Sequence, residues 1–483
     1  MLFNSYMFLL FFFPVSWFTY FFLNRYHKET LAKIALLGFS FWFYGYYLLE
    51  YLGILICSIV LNFSFTRGMK KFCSRRRMFL LLGLFTNVGI LFWFKYFNFF
   101  INNVNTICKT TFSDLHIIMP LGISFFTFQQ ISYIVDSYKE DLDYSFLDYA
   151  LYVSFFPQLI AGPIVLHSEL IPQFREKSRK RVDFTYLAEG LYRFSKGLAK
   201  KVLLADTIAG AVDWGYNHYE LLTGPNLVLL AVFYSFQLYF DFSGYCDMAC
   251  GIAKCFHLDL PENFNSPFKA DSISDLWRRW HMTLGRFLTT YIYIPLGGSR
   301  KGPVRTCINT LIVFLVSGIW HGANWTFVVW GLMHGIGLVL YRVFAKIWDK
   351  LYKPIKVAAT YGFFCLSFIF FRADSLKTAT TIIRRIFTDM TWSLQENFYK
   401  AFDVVDVTYI EEHIPVLRGV LERYPATNMW LLLMLSFFIC FFTKNSIERK
   451  NPITVKSAVW ASTLFCWSVT SLAKVATFLY FNF

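Results

Sequence analysis

The chain is 483 residues long, 56% hydrophobic and only 16% charged, whereas a soluble domain carries about 25% charged residues, so a water-soluble fold is excluded. Its net charge of +15 lies in short basic runs between apolar segments, the distribution that the positive-inside rule produces, and this removes the case for a nucleic-acid-binding protein. Length alone would suggest about three soluble domains, but apolar segments recur from end to end and point to one membrane domain over residues 1–483.

The first apolar stretch, 5–23, lacks a basic leader and a small-residue cleavage site, so it reads as a retained first span. A span needs about 20 apolar residues. Further candidates are 31–48, 50–65, 79–101, 120–138, 226–245, 306–320, 325–344, 356–371, 429–442 and 457–481. Arg67, Lys70, Lys71, Arg75, Arg76 and Arg77, with no acidic residue among them, mark the loop after the third span as cytoplasmic and so place the N-terminus outside. Residues 167–205 and 263–305 are also basic and should face the cytoplasm. Simple crossings cannot satisfy all three constraints, so at least one segment must re-enter. The choice falls on 147–166, interrupted by Pro157, Gly162 and Pro163, because non-helical backbone at membrane depth survives only buried in protein or lining a cavity. The expected fold is an all-α polytopic membrane protein with about 11 spans plus re-entrant and amphipathic interfacial helices.

Ser272 with Asp275 three residues on resembles a capping box, so a helix should begin near Ile273. Trp277, Trp280, His281, Leu284, Phe287 and Leu288 then fall on one face of an amphipathic helix, with Arg279 and Arg286 elsewhere. The plain alternative is a helix lying on anionic lipid with snorkelling arginines. His321 sits between two apolar segments in Ser317-Gly318-Ile319-Trp320-His321-Gly322. An ionisable group at that depth is a functional-site hypothesis. The competing reading is a histidine that joins two helices, but the flanking glycines would let a substrate approach closely. His334, in a continuous apolar helix, reads as a packed interhelical donor.

The other signals are weaker. His27, His116, His167, His218 and His413 lie in polar or interfacial stretches, and Lys95 reads as a snorkelling lysine. Asp136, Asp241 and Asp247 could line a cavity or pair helices. Cys246, Cys250, Cys255 and His257 lack the spacing of common zinc sites, so no metal is expected. The ten Cys are scattered and imply no disulfide framework. There is no Gly-x-Ser-x-Gly elbow and no Walker loop.

Several blocks resemble the membrane-bound O-acyltransferase family, in particular its alginate O-acetylation branch. They are Phe155-Phe156-Pro157-Gln158-Leu159-Ile160-Ala161-Gly162-Pro163, Asn263-Phe264-Asn265-Ser266-Pro267-Phe268, Trp277-Arg278-Arg279-Trp280-His281, Tyr293-Ile294-Pro295-Leu296-Gly297-Gly298 and Ser317 to Gly322. Phe370-Phe371-Arg372-Ala373-Asp374 and the terminal Phe478-Leu479-Tyr480-Phe481-Asn482-Phe483 look similar too. The resemblance implies that His321 is the catalytic intramembrane histidine and His281 the second characteristic one. Trp277, Arg278, Arg279, Trp320 and Asn324 become candidate substrate-binding residues, the arginines for donor phosphates. It further implies relay of an acetyl group, with no bound cofactor, from acetyl-CoA or another acyl thioester to a polysaccharide or to an extracytoplasmic acetyltransferase. The setting would be a bacterial inner membrane, with the lipid bilayer as partner and no nucleic acid. Thr289-Thr290 replaces an Arg-Asp pair common in that branch and leaves donor or partner specificity open. The rival readings are a D-alanyl-type acyl exporter, a transporter, and a non-catalytic scaffold of a polysaccharide secretion complex.

Overall fold

The structure, a computed structural model, describes residues 1–403, 413, 419, 423–448, 454–472 and 479. The helices of its first half are α1 Phe13–Arg25, α2 Glu29–Gly45, α3 Leu49–Lys71, α4 Arg76–Leu91, α5 Phe97–Cys108, α6 Ile123–Lys139, α7 Phe146–Ser154, α8 Phe156–Leu159, α9 His167–Arg175, α10 Phe184–Ala199 and α11 Asp206–Asn217. Then come α12 Gly224–Cys255, α13 Ile273–Arg279, α14 Met282–Leu288, α15 Gly302–His321, α16 Trp325–Trp348, α17 Lys353–Arg372, α18 Leu376–Thr388, α19 Glu396–Lys400, α20 Thr427–Phe437 and α21 Val455–Thr470. No strand occurs among the described residues. The chain folds as two compact units, the first mainly Met1–Ser195 and Tyr245–Glu262, the second mainly Lys196–Gly244 and Asn263–Asn451.

Among the described residues seven helices are long and apolar enough to cross a membrane: Phe8–Arg25, Leu49–Lys71, Cys73–Cys108, α12, α15, α16 and α17. The expected count of about 11 spans is not reached on that criterion, because apolar composition reports burial in protein as readily as burial in lipid. The stretch 31–48 becomes α2, 17 residues long. The stretch 120–138 becomes α6, also 17 residues, which buries Ser124, Thr127, Gln129, Gln130 and Ser132 inside the protein. The stretch 429–442 forms a short apolar helix. The last expected span is helical as far as Thr470, and most of the chain beyond Thr470, including Phe478 to Phe483 apart from Leu479, lies outside the described residues.

Within the first unit, buried polar side chains tie the helices together. Gln130 donates to Ser58 at 2.9 Å and accepts from Tyr149 at 3.1 Å, and Asn87 donates to Asn62 at 2.5 Å. Residues 147–166 do not form one straight helix. Phe155 turns to ψ 110° between α7 and α8, and 160–166 is irregular. Residues 148–165 are buried throughout, and Tyr152 donates to the Val165 carbonyl at 3.0 Å while Gln158 donates to the Tyr152 carbonyl at 2.7 Å. Irregular backbone is thus satisfied from within the protein, as a low-dielectric interior requires.

The second unit contains a buried charge cluster. Lys201 Nζ lies 2.8 Å from Asp206 Oδ1 and 2.7 Å from Asp241 Oδ1, and the other oxygen of Asp241 accepts the Leu479 N–H at 2.8 Å. One ammonium between two carboxylates leaves an excess negative charge, which a proton relieves. Burial pushes Asp206 up from 3.8 to about 7. The folded state therefore holds a proton that the unfolded chain has lost between about pH 4 and 7, so this group's stabilising contribution falls as pH rises through that window. Asp206→Asn should flatten that part of the pH dependence, whereas Lys201→Met, which strands two carboxylates, should cost about 3–5 kcal/mol. Thermal unfolding in detergent at pH 6 and pH 8 checks both; equal slopes in wild type and Asp206→Asn would contradict the assignment.

Candidate active site

The expected helix start is present: Ser272 Oγ accepts the Asp275 N–H at 3.2 Å. The single amphipathic helix is not. It breaks after Arg279, where Trp280 is extended and His281 adopts φ 46°, ψ 51°, before α14 begins at Met282. The cause lies in another part of the chain. The Asn265 N–H donates to the Arg279 carbonyl at 2.9 Å and the Met282 N–H to the Asn263 carbonyl at 3.0 Å, so the 263–265 loop captures groups that a continuous helix would pair internally. Left-handed backbone at a non-glycine residue costs about 1–3 kcal/mol and persists where its surroundings impose it. Nor does this segment lie on lipid: Leu276, Trp280, His281, Leu284, Phe287 and Leu288 are buried within the protein.

His281 is fully buried, its ring edge-on to Phe242 at 4.7 Å, and its Nδ1 lies 3.2 Å from Asn263 Oδ1. Burial drives its pKa down from 6.5 to about 3. His321 occupies the last turn of α15, 4% exposed. Around it stand Trp320 at 4.9 Å, Trp330 of α16 at 5.0 Å and Phe371 of α17 at 5.1 Å between ring centres. The His281 and His321 rings are 6.5 Å apart, so two motifs 40 residues apart in sequence build one aromatic-walled site.

The glycines beside His321 serve packing. A Cβ on Gly318 would lie 2.4 Å from the Phe327 carbonyl, and Gly318 and Gly331 bring the backbones of α15 and α16 together. Gly322 has an extended φ of −166°, and a Cβ there would strike the Phe327 ring at 2.1 Å. These glycines, whose sequence context suggests close approach of a substrate, instead admit the neighbouring helix.

The remaining candidates divide. Arg278 is exposed, whereas Arg279 pairs with Asp275 at 2.8 Å and donates to the Asn265 carbonyl at 3.3 Å. Asn324 caps α16, accepting the Thr326 N–H at 3.1 Å and donating to the Asp374 carbonyl at 2.9 Å. Trp320 is buried against both histidines. Trp277 donates its indole N–H to His334 Nδ1 at 3.2 Å, and His334 Nε2 lies 3.0 Å from Ser367 Oγ, which donates to the Phe364 carbonyl at 2.8 Å. An indole only donates, so His334 must accept at Nδ1 and donate at Nε2. It joins α13, α16 and α17, and is an acceptor as well as the interhelical donor expected. Sequence reasoning missed Asn263, Trp330 and Phe371 as site residues. The quoted blocks contain Asn263 and Phe371, but nothing local to either shows its partner. Among the described residues no group of three or more His, Cys, Asp or Glu is arranged to hold a metal ion.

Known proteins are similar to this chain over most of its length. The family described as MBOAT, membrane-bound O-acyltransferase family, matches residues 111–373. The chain is 39% identical to the peptidoglycan O-acetyltransferase of Helicobacter pylori, over 100% of this chain and 98% of that protein. It is 35% identical to the probable alginate O-acetylase AlgI of Pseudomonas aeruginosa, over 82% and 76% of the two chains. Against the teichoic acid D-alanyltransferase of Bacillus subtilis, identity is 28% over 53% and 69%.

The Trp277–His334 bond gives a direct test of the scaffold around the site. Trp277→Phe keeps a ring but leaves a buried acceptor without its donor, and should destabilise the protein by about 1–3 kcal/mol. In a His334→Phe background the same change should cost far less, and a double-mutant cycle of unfolding free energies reads the coupling. Additive costs would show that the bond contributes nothing.

Proposed function

Because the chain belongs to the membrane-bound O-acyltransferase family and is a multi-pass membrane O-acyltransferase, we propose that it moves an acetyl group from a cytoplasmic thioester to an acceptor outside the cytoplasm. The donor is acetyl-CoA or another acyl thioester. The acceptor is a carbohydrate hydroxyl or an extracytoplasmic acetyltransferase that delivers the group onward. Peptidoglycan is the favoured final glycan, since the peptidoglycan O-acetyltransferase of H. pylori aligns with this chain end to end, while the alginate relative covers 82% of it. Export of D-alanine is the weaker reading, its namesake relative being 28% identical over 53% of this chain. The transporter and non-catalytic scaffold readings do not survive the family assignment.

The observation that carries the proposal is His321, an imidazole buried at the end of a membrane-crossing helix and walled by Trp320, Trp330 and Phe371. In the reaction the acceptor oxygen bonds to the thioester carbonyl carbon and His321 takes the hydroxyl proton. The C–S bond then breaks, and the departing thiolate takes that proton back from the imidazolium, leaving ester and thiol. The C-terminal end of α15, where His321 sits, has the helix polarity that favours the positive charge a general base acquires. Aromatic walls limit water, which protects the thioester from hydrolysis. Exposed Arg278 is assigned to the donor's phosphates, and Trp320 to the wall of the acyl site. Trp277, Arg279 and Asn324 act on substrate through the scaffold that they hold.

His321→Ala should lower acetyl transfer per folded molecule by about 10² or more, with size-exclusion recovery counting the folded protein. A variant whose turnover stays near wild type would remove His321 from the chemistry. We further place the N-terminus outside the bacterial inner membrane and the 66–77 loop inside. Exposed Cys73, with the other thiols removed, should react with an impermeant maleimide in inverted vesicles and not in intact cells. The reverse pattern would invert the topology.

A further inference from the structure

Three donors converge on one buried atom. Asn263 Oδ1 receives the Thr283 N–H at 3.2 Å, the Thr283 hydroxyl at 3.0 Å and His281 Nδ1 at 3.2 Å, with Asn263 1% exposed and His281 wholly buried. The backbone N–H of Thr283 can only donate, which fixes the Asn263 amide with its oxygen toward this cluster. An amide oxygen can only accept. The proton between Asn263 and His281 therefore belongs to Nδ1, and in the neutral ring the lone pair belongs to Nε2, on the edge away from the anchor. Burial, which pushes this ring down to about 3, keeps it neutral throughout the working range. The left-handed backbone at His281 is held by the same loop, through the Met282 N–H on the Asn263 carbonyl at 3.0 Å.

We propose that Asn263 is a positioning residue that fixes His281 as the Nδ1–H tautomer, so that His281 serves the acyl-transfer site as a hydrogen-bond acceptor through Nε2. This deepens the reading of His281 and His321 as one site and rests on it. A hydroxyl-bearing acceptor meets an acceptor nitrogen at His281, which orients the O–H, while the proton itself goes to His321. An Asn263 that only pinned the loop would affect the yield of folded protein and not the turnover of what folds, so kcat per folded molecule, read beside the tautomer, separates positioning from scaffolding.

The experiment combines a spectroscopic and a kinetic readout on the full chain in detergent. Nitrogen-15 NMR of histidine-labelled protein, with the His281 signals identified by their loss in His281→Gln, should show the neutral Nδ1–H form in wild type. Asn263→Leu should shift His281 toward the other tautomer and lower kcat by about tenfold or more, with the KM for acetyl-CoA little changed. Asn263→Asp keeps an acceptor at the same place and should restore the tautomer and part of the rate. Wild-type His281 seen as the Nε2–H form or as imidazolium overturns the proposal. So does an Asn263→Leu protein with unaltered turnover. If Asn263→Leu fails to fold, the wild-type spectrum and Thr283→Val, which removes one donor and should leave the tautomer in place, decide the matter. The spectrum needs no turnover, so failure of the acyltransferase chemistry, read by His321→Ala, stays distinguishable from failure of the tautomer assignment.

Discussion

A carbonyl oxygen with three donors is the constraint from which the second unit's site is built. Asn263 Oδ1 binds both groups of Thr283 and the imidazole of His281, and the Asn263 main chain takes the Met282 N–H. Those bonds compete with helix formation across 279–282 and win: the Met282 and Thr283 N–H groups and the Arg279 carbonyl, which a continuous helix would pair internally, all find partners in the 263–265 loop. The next residues stiffen the arrangement. Asn265 and Ser266 accept from Asn445 at 2.7 and 2.9 Å, and Trp280 packs edge-on against Phe264 and Phe364 at 5.0 Å each. A site whose geometry must hold to a fraction of an ångström is thus mounted on hydrogen bonds and rings that leave few alternative rotamers.

The second constraint is the approach of two backbones. Gly318 and Gly331 each meet the facing helix so closely that an added Cβ would lie 2.4 Å from a carbonyl oxygen. In lipid the hydrophobic effect offers helices little reason to associate, and close packing of small residues supplies one. The crossing carries Trp330 against His321 and, through His334, ties α16 to Trp277 and Ser367. Fold and site are therefore coupled: a change that separates α15 from α16 also withdraws one wall of the site.

Much of this was legible in the sequence, within limits set by range. The membrane class, the seven long spans and the capped start at Ser272 are consequences of composition, length and local spacing. His321 stood out because an imidazole between two span-length apolar runs has few structural excuses. The features that the sequence could not show depend on contacts distant along the chain. The run Trp277 to Leu288 has good helical periodicity, and only the 263–265 loop breaks it. The polar interior of α6 and the shortness of α2 are hidden behind apolar averages. Gly318 and Gly322 signal closeness correctly, but sequence does not say to what. Asn263 carries no local mark of its role, since its partner lies 18 residues away.

Three buried histidines in the second unit, chemically identical in sequence, are divided by their surroundings. His334 accepts from Trp277 and donates toward Ser367, so both nitrogens are committed to structure and it has no lone pair to offer a substrate. His281 has Nδ1 committed to Asn263, and a ring held to a pKa of about 3 is about four powers of ten short of retaining a proton at neutral pH. Such a ring can accept a hydrogen bond and orient an O–H, but it cannot keep the proton while a thiolate leaves. Of the three, His321 is the one placed at a helix C-terminus, where positive charge is favoured. Under the proposed function, the division of labour between an orienting acceptor and a proton-taking base follows from where each ring sits and what it is bonded to, without appeal to the motif that contains it.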